Sequence, residues 1–265
     1  MTEAGEIKSC CAALYESNFA RWLLGESFHP GGLELTARLG ELLQLSPQDC
    51  VLDAAAGAGA SAILLARQFG CSVVGIDLSA EQVNRANAAV QAAGVAGRVR
   101  FERADAEQAA FESGSFDAVI CECAFCTFPD KGLAAAQCAR ILKSRGRIGI
   151  ADLTRSGPLP RELEGLLAWI ACIADARPVS EYAAYLEAAG FADVSIESHD
   201  QALSQMVHDI QSKLLASQLL LNLKQLDLPG VDLGQAKRLA RSAADAINNG
   251  LLGYSLIVAR RAECR

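Results

Sequence analysis

The chain has 265 residues, 51% of them apolar, and a net charge of -7 from 24 basic and 31 acidic side chains. That length and apolar content suit one large alpha/beta core, and no apolar run reaches the roughly 18 residues needed to cross a bilayer. No lysine or arginine cluster is present to neutralise phosphates, which argues against nucleic acid as substrate, and MTEAGEIKSCC lacks a basic and apolar leader, so a cytoplasmic enzyme is expected.

Residues 1–35 read as a helical cap: an aromatic helix in ALYESNFARWLL, a turn at SFHPGG, then a second helix. His29 in that turn has two readings, a general base whose imidazole titrates near neutral pH or a turn residue bonding locally beside Pro30. Residues 36–200 read as the core. Within it, DCVLDAAAGAGASAILLARQFGCSVVGIDLS (49–79) gives an apolar strand, a small-residue turn, a helix, a second strand and an acid at its end. Asp53 closes the first strand, and Ala54 to Gly59 carry almost no side chain, so a ligand can approach the backbone closely. Asp77, followed by Leu78, ends the second strand, where a carboxylate can accept hydrogen bonds from two ribose hydroxyls. A dinucleotide site is disfavoured: the turn reads A-A-G-A-G, and a pyrophosphate would meet the Asp53 carboxylate head on.

Strands are predicted at 50–54, 72–77, 98–103, 116–122, 146–152, 193–199 and 252–260, with helices between most of them. The alternation implies an alpha/beta fold with a doubly wound, seven-stranded, mostly parallel sheet. Ser79 and Gln82 fit a capping box opening a helix through Ala93, and Pro129 with Asp130 opens another that ends near Leu142. Residues 201–249 form a helical insertion, expected to act as a lid, and 250–265 return to the core as the final strand and tail. The leucine stripe from Leu214 to Leu226 reads most simply as core packing, with substrate enclosure or a homodimer contact as alternatives.

The chain has ten cysteines, and in a reducing compartment they point to thiolate chemistry more than to disulfides. Cys121 and Cys123 end the fourth strand two residues apart, on one face if that strand is regular, with Cys126 on the following loop. Ligands of open alpha/beta sheets bind beyond the carboxyl ends of the strands, so these thiols are expected beside the reactive end of a bound cofactor. Thiolates favour soft centres such as trivalent arsenic, whose lone pair stays free when sulfur holds it. The competing reading of each cysteine is a small buried hydrophobe, foremost for Cys50, Cys71 and Cys138. Zinc is disfavoured because no pair of CxxC knuckles supplies four ligands.

The turn after Asp53, Asp77, Asp105 in VRFERADAEQ and the strand FDAVICECAF resemble, in that order, class I S-adenosylmethionine-dependent methyltransferases of Rossmann-like fold. The resemblance implies that Asp53, Ala55, Gly57 and Gly59 meet the amino acid end of S-adenosyl-L-methionine. It further implies Asp77 and Leu78 at the ribose, Asp105 and Ala106 at the adenine, and Cys121 lining the cofactor. Ala55 stands where the family has a glycine. A second resemblance, to arsenite methyltransferases, rests on Cys123 in ICECAFCTFPDK and Cys172 in GLLAWIACIADARP. It implies that Cys123, Cys172 and an N-terminal thiol, Cys11 of the pair Cys10–Cys11, hold a metalloid acceptor, with a thiol as reductant. The N-terminal cysteines and the absence of a cysteine-rich tail after residue 200 depart from that family, and the alternative is an oxygen, nitrogen or carbon atom of a small organic molecule.

Overall fold

The computed structural model describes residues 22–23, 29–163, 172–222 and 232–263. Seven strands, β1 (Cys50–Ala54), β2 (Ser72–Asp77), β3 (Val99–Arg103), β4 (Phe116–Glu122), β5 (Leu142–Arg155), β6 (Phe191–Ser198) and β7 (Leu252–Arg261), make one sheet. Their order is β3-β2-β1-β4-β5-β7-β6. The first five are parallel, and β7 runs antiparallel to both of its neighbours. This is the mostly parallel sheet expected from the sequence.

The central strands β1, β2 and β4 are apolar almost throughout because helices cover both faces of a parallel sheet. Edge strand β6 reads FADVSIES and leaves most of its side chains partly or fully exposed. Two strands, β5 and β6, begin earlier than the sequence reading has them, each through an irregularity in pairing. The sequence reading ends a helix near Leu142 and starts a strand at 146, yet β5 begins at Leu142 and absorbs the intervening residues as a bulge. Pairing steps from Phe116–Leu142 to Ala118–Arg147, with Arg145 in the left-handed region at φ 62°. A second irregularity, at Asp193 (φ 55°), lets β6 start at Phe191 instead of 193.

Seven helices flank the sheet among the described residues: α1 (Gly32–Leu42), α2 (Ala60–Phe69), α3 (Ala80–Ala93), α4 (Lys131–Ile141), α5 (Val179–Ala188), α6 (Asp200–Asn222) and α7 (Leu233–Asn248). The hydroxyl of Ser79 accepts from the Gln82 backbone N–H at 3.0 Å, starting α3. Asp130 caps α4 in the same way through the Leu133 N–H at 2.8 Å. The insertion between β6 and β7 is the pair α6 and α7, which share a small cluster of Leu214, Leu233 and Ala240. The leucine stripe divides: Leu214 is buried there, while Leu215 and Leu219 are 65% and 60% exposed. Lys213 on α6 donates to the carbonyls of Trp22 and Leu23 at 3.0 and 2.9 Å, tying the N-terminal segment to the insertion. No described helix is long and apolar enough to cross a membrane.

Gly75 in β2 lets the Phe101 ring of β3 lie against the strand, because a Cβ at Gly75 would stand 2.1 Å from that ring and 3.0 Å from Ala56. Gly75→Ala is therefore expected to lower folding stability by about 1–3 kcal/mol through overpacking. The readout is the urea midpoint; an unchanged midpoint would show that Phe101 can move aside at no cost.

Candidate active site

The parallel register carries the ends of β1, β2 and β4 to one edge of the sheet. At the tip of β1, Asp53 is 2% exposed, and its Oδ2 has no hydrogen-bond partner. Burial, then the neighbouring Glu122 and Asp77 charges, push its pKa well above the usual carboxylate range. The chain next turns through Ala55 (φ 62°), Gly57 (φ 53°) and Gly59 (φ 86°), all in the left-handed region. Ala55 thus adopts at some strain the backbone geometry that favours glycine. Gly57 has nothing within 4 Å of where a Cβ would sit, whereas at Gly59 a Cβ would meet Phe101 at 2.6 Å. One glycine keeps an open surface and the other allows α2 to close on the sheet.

Asp77 is held by two backbone N–H groups, Gly57 to Oδ2 at 2.9 Å and Ser79 to Oδ1 at 2.8 Å. Leu78 is half-buried beside it and accepts from Arg103 Nε through its carbonyl at 2.9 Å. Asp105 and Ala106 follow β3, both half-buried, with Asp105 Oδ1 accepting from the Glu107 N–H at 3.0 Å. Asp53, Asp77 and Asp105 therefore each stand just at or beyond the end of a neighbouring strand.

The sequence reading missed Glu122, the last residue of β4. Its side chain is 5% exposed. It accepts from Thr36 of α1 at 3.0 and 3.1 Å and from Ser61 of α2 at 2.5 Å. His29 Nε2 lies 3.7 Å from Glu122 Oε2 and 3.3 Å from the Thr36 hydroxyl, and its Nδ1 lies 3.2 Å from the Pro30 carbonyl. His29 thus bonds locally beside Pro30, as the turn reading expected, and its ring also faces Glu122. The signal available in the sequence was an acid inside ICECAF, overshadowed by its cysteines.

Beyond Glu122 the strand alternation breaks, because Cys123 takes φ 48° and leaves the sheet. Its N–H donates to the Ala151 carbonyl at 2.7 Å and its thiol to the Tyr254 hydroxyl at 3.7 Å. The reading of Cys121 and Cys123 as a regular same-face pair is corrected by this turn, and Cys121 is packed in the core at 1% exposure. Cys172, also left-handed at φ 62°, donates its thiol to the Cys123 carbonyl at 3.1 Å. Both Cys123 and Cys126 also share side-chain hydrogen bonds with Cys172. The Cys123 thiol is pushed up by that bond and by burial, and the Cys126 thiol by burial and then by Cys172. A buried ion pair pins the loop that carries Cys172: Lys131 binds Asp175, which also accepts from Arg177 at 2.5 Å. Cys10 and Cys11 lie outside the described residues, among which no three Cys, His, Asp or Glu side chains are grouped to hold a metal ion.

The chain as a whole is similar to known proteins. A methyltransferase domain family matches residues 51–146. The 27-O-demethylrifamycin SV methyltransferase of Amycolatopsis mediterranei is 31% identical over 241 residues, covering 86% of this chain and 83% of that protein. The chain belongs to the S-adenosylmethionine-dependent methyltransferases. An arsenite methyltransferase of Halobacterium salinarum is 29% identical over 161 residues, 60% of this chain but only 41% of that protein. In fold, the methyltransferase superposes on phosphoethanolamine N-methyltransferase 2 of Haemonchus contortus with a TM-score of 0.82. That alignment is 18% identical and covers 99% of this chain and 61% of the other, which was solved with phosphomonomethylethanolamine and S-adenosylhomocysteine.

The cofactor is S-adenosylmethionine, and the residues at the strand tips fit it. The unpartnered Asp53 oxygen asks for a cationic donor, and the open Gly57 surface admits a ligand to the backbone. Asp77, already anchored by two N–H groups, can accept further from sugar hydroxyls.

Asp152, at the β5 end of the methyltransferase, is 0% exposed and underlies the thiols, accepting from the Cys126 N–H at 2.8 Å. Burial, then Cys172, raise its pKa from 3.8 to about 7. Between those values the folded state keeps a proton that the unfolded chain has lost, so stability falls as pH rises. From about pH 5 to about pH 7.5 the wild type should lose roughly 2–3 kcal/mol more than Asp152→Asn. Denaturant midpoints at the two pH values measure the difference, and parallel curves would refute the protonated buried carboxyl.

Proposed function

We propose that this methyltransferase moves the cofactor's methyl group to a thiol-bound metalloid, arsenite being the acceptor its chemistry suits best. The observation that carries the reading is the meeting of Cys123 and Cys172 across 49 residues of chain, thiol to carbonyl at 3.1 Å. Both residues hold left-handed backbone conformations that a non-glycine residue adopts only under constraint, which is common at ligand sites. The arsenite methyltransferase among the relatives supports the class of acceptor.

Thiols held protonated by burial are suited to arsenic trihydroxide. Each sulfur–arsenic bond forms as the thiol proton leaves with a hydroxide as water, so binding needs no free thiolate in advance. Cys123 and Cys172 are the two protein ligands of this reading. Cys10, Cys11 and Cys126 are the candidates for the third, Cys11 being the choice of the sequence-based scheme, and the interaction of Cys126 with Cys172 favours Cys126 among the described residues. When bound, the cofactor supplies an electrophilic methyl carbon on a sulfonium centre. The protein fixes the acceptor's lone pair in line with that carbon and provides no base. Methylation takes arsenic from trivalent to pentavalent, and two electrons from thiols, protein or soluble, return it. Asp53, Ala55, Gly57, Gly59, Asp77, Leu78, Asp105 and Ala106 hold the cofactor in this scheme, and α6 with α7 covers the acceptor side.

A second reading is favoured by the His29–Thr36–Glu122 contacts, which provide proton-accepting groups for an organic hydroxyl or amine. Serine substitution separates the two. Under the metalloid reading, Cys123→Ser and Cys172→Ser each reduce methyl transfer to arsenite by at least about 100-fold, since one lost ligand misplaces the acceptor. Cofactor binding, measured by calorimetry, stays within about twofold, because neither thiol is at the tips of β1 to β3. Undiminished transfer in both variants rejects the metalloid reading.

A further inference from the structure

Two carboxylates, Asp53 and Glu122, face one edge of the sheet, and each is nearly sealed from water. Neither forms an ion pair with a lysine or arginine among the described residues. The two are treated differently by the fold. Glu122 is gripped by hydroxyls from two helices, with His29 behind them. Asp53 keeps a buried oxygen with no donor at all. A desolvated acceptor of this kind is well matched by a partner that supplies both positive charge and N–H groups.

The cofactor has two cationic centres, and only one has protons to donate. A sulfonium offers charge without a donor, whereas a primary ammonium offers three N–H groups. We propose that Glu122 is a cofactor-positioning residue which, together with the free oxygen of Asp53, binds the α-ammonium of the cofactor's amino acid arm. Thr36 and Ser61 set the orientation of its carboxylate, and His29 buttresses them. The assignment rests on the strand tips being the cofactor site. It gives Glu122 a task separate from the thiols that follow it in sequence.

Two nucleosides test it by calorimetry. S-adenosylhomocysteine carries the ammonium and no sulfonium; methylthioadenosine lacks the whole amino acid arm. Glu122→Gln is expected to weaken S-adenosylhomocysteine by roughly tenfold to a hundredfold, the range for a charged hydrogen bond, and to leave methylthioadenosine within about twofold. Thr36→Val, which removes the donor shared by both Glu122 oxygens, provides the same comparison if Glu122→Gln does not fold. It should weaken S-adenosylhomocysteine alone, by a few-fold. Equal losses for both nucleosides, or no loss for S-adenosylhomocysteine, overturn the assignment while leaving the cofactor site standing. A wild-type protein that binds neither nucleoside would instead overturn the site itself, and this assignment with it.

Discussion

Asp53 sits at the tip of a central strand with one oxygen sealed from solvent and bonded to nothing. An unsatisfied buried acceptor costs about 1–3 kcal/mol, more when charged, so the fold maintains it against its own stability. The parallel register makes this unavoidable. Asp53 pairs across to Gly75 and Ile120, which brings the ends of β2 and β4 level with it and sets Asp77 and Glu122 beside it. Like charges crowded in a dry place raise one another's affinity for protons and for cations alike. Under the proposed assignment, the positively charged cofactor relieves a strain already present in the folded chain.

The sulfur side of the site is built differently. Cys123 and Cys172 come from separate loops, and each takes a left-handed turn where they meet. The loop bearing Cys172 is secured at a distance from the thiol, where Lys131 at the start of α4 is 4% exposed and grips Asp175. A buried ion pair of that kind is strongly destabilising to break and so fixes its loop firmly. Beside the thiols, Asp152 accepts from the Cys126 N–H and the Tyr254 hydroxyl meets the Cys123 thiol. The carboxylate edge thus holds crowded acids, and the thiol edge holds sulfurs that burial keeps protonated.

Much of the architecture was legible in local pattern. The strands CVLDA, SVVGID and FDAVICE announced themselves as short apolar runs, and Ser79 and Asp130 marked helix starts whose capping bonds are present. Those signals depend on neighbours within a few residues, so they survive without knowledge of the fold. Glu122 was not legible, because its meaning comes from Thr36 and Ser61, 86 and 61 residues away in sequence. Which of Cys10, Cys11 and Cys126 joins Cys123 and Cys172 was open in the sequence for a similar reason: the link of Cys126 to Cys172 exists only once the β5 loop returns over the 3₁₀ turn Phe125–Thr127. The early starts of β5 and β6 escaped because they are set by pairing with neighbouring strands, which local pattern does not show.

The sequence by itself determined the kind of sheet, the small-residue turn, and the acids that end β1 and β2 and follow β3, since hydrophobic period and residue size act locally. Tertiary structure alone decided which acid stands unpartnered, which thiols touch, and that a glutamate joins the carboxylate edge. These are contacts between segments far apart in the chain, and they come into being only when the register of a parallel sheet sets the strand ends side by side.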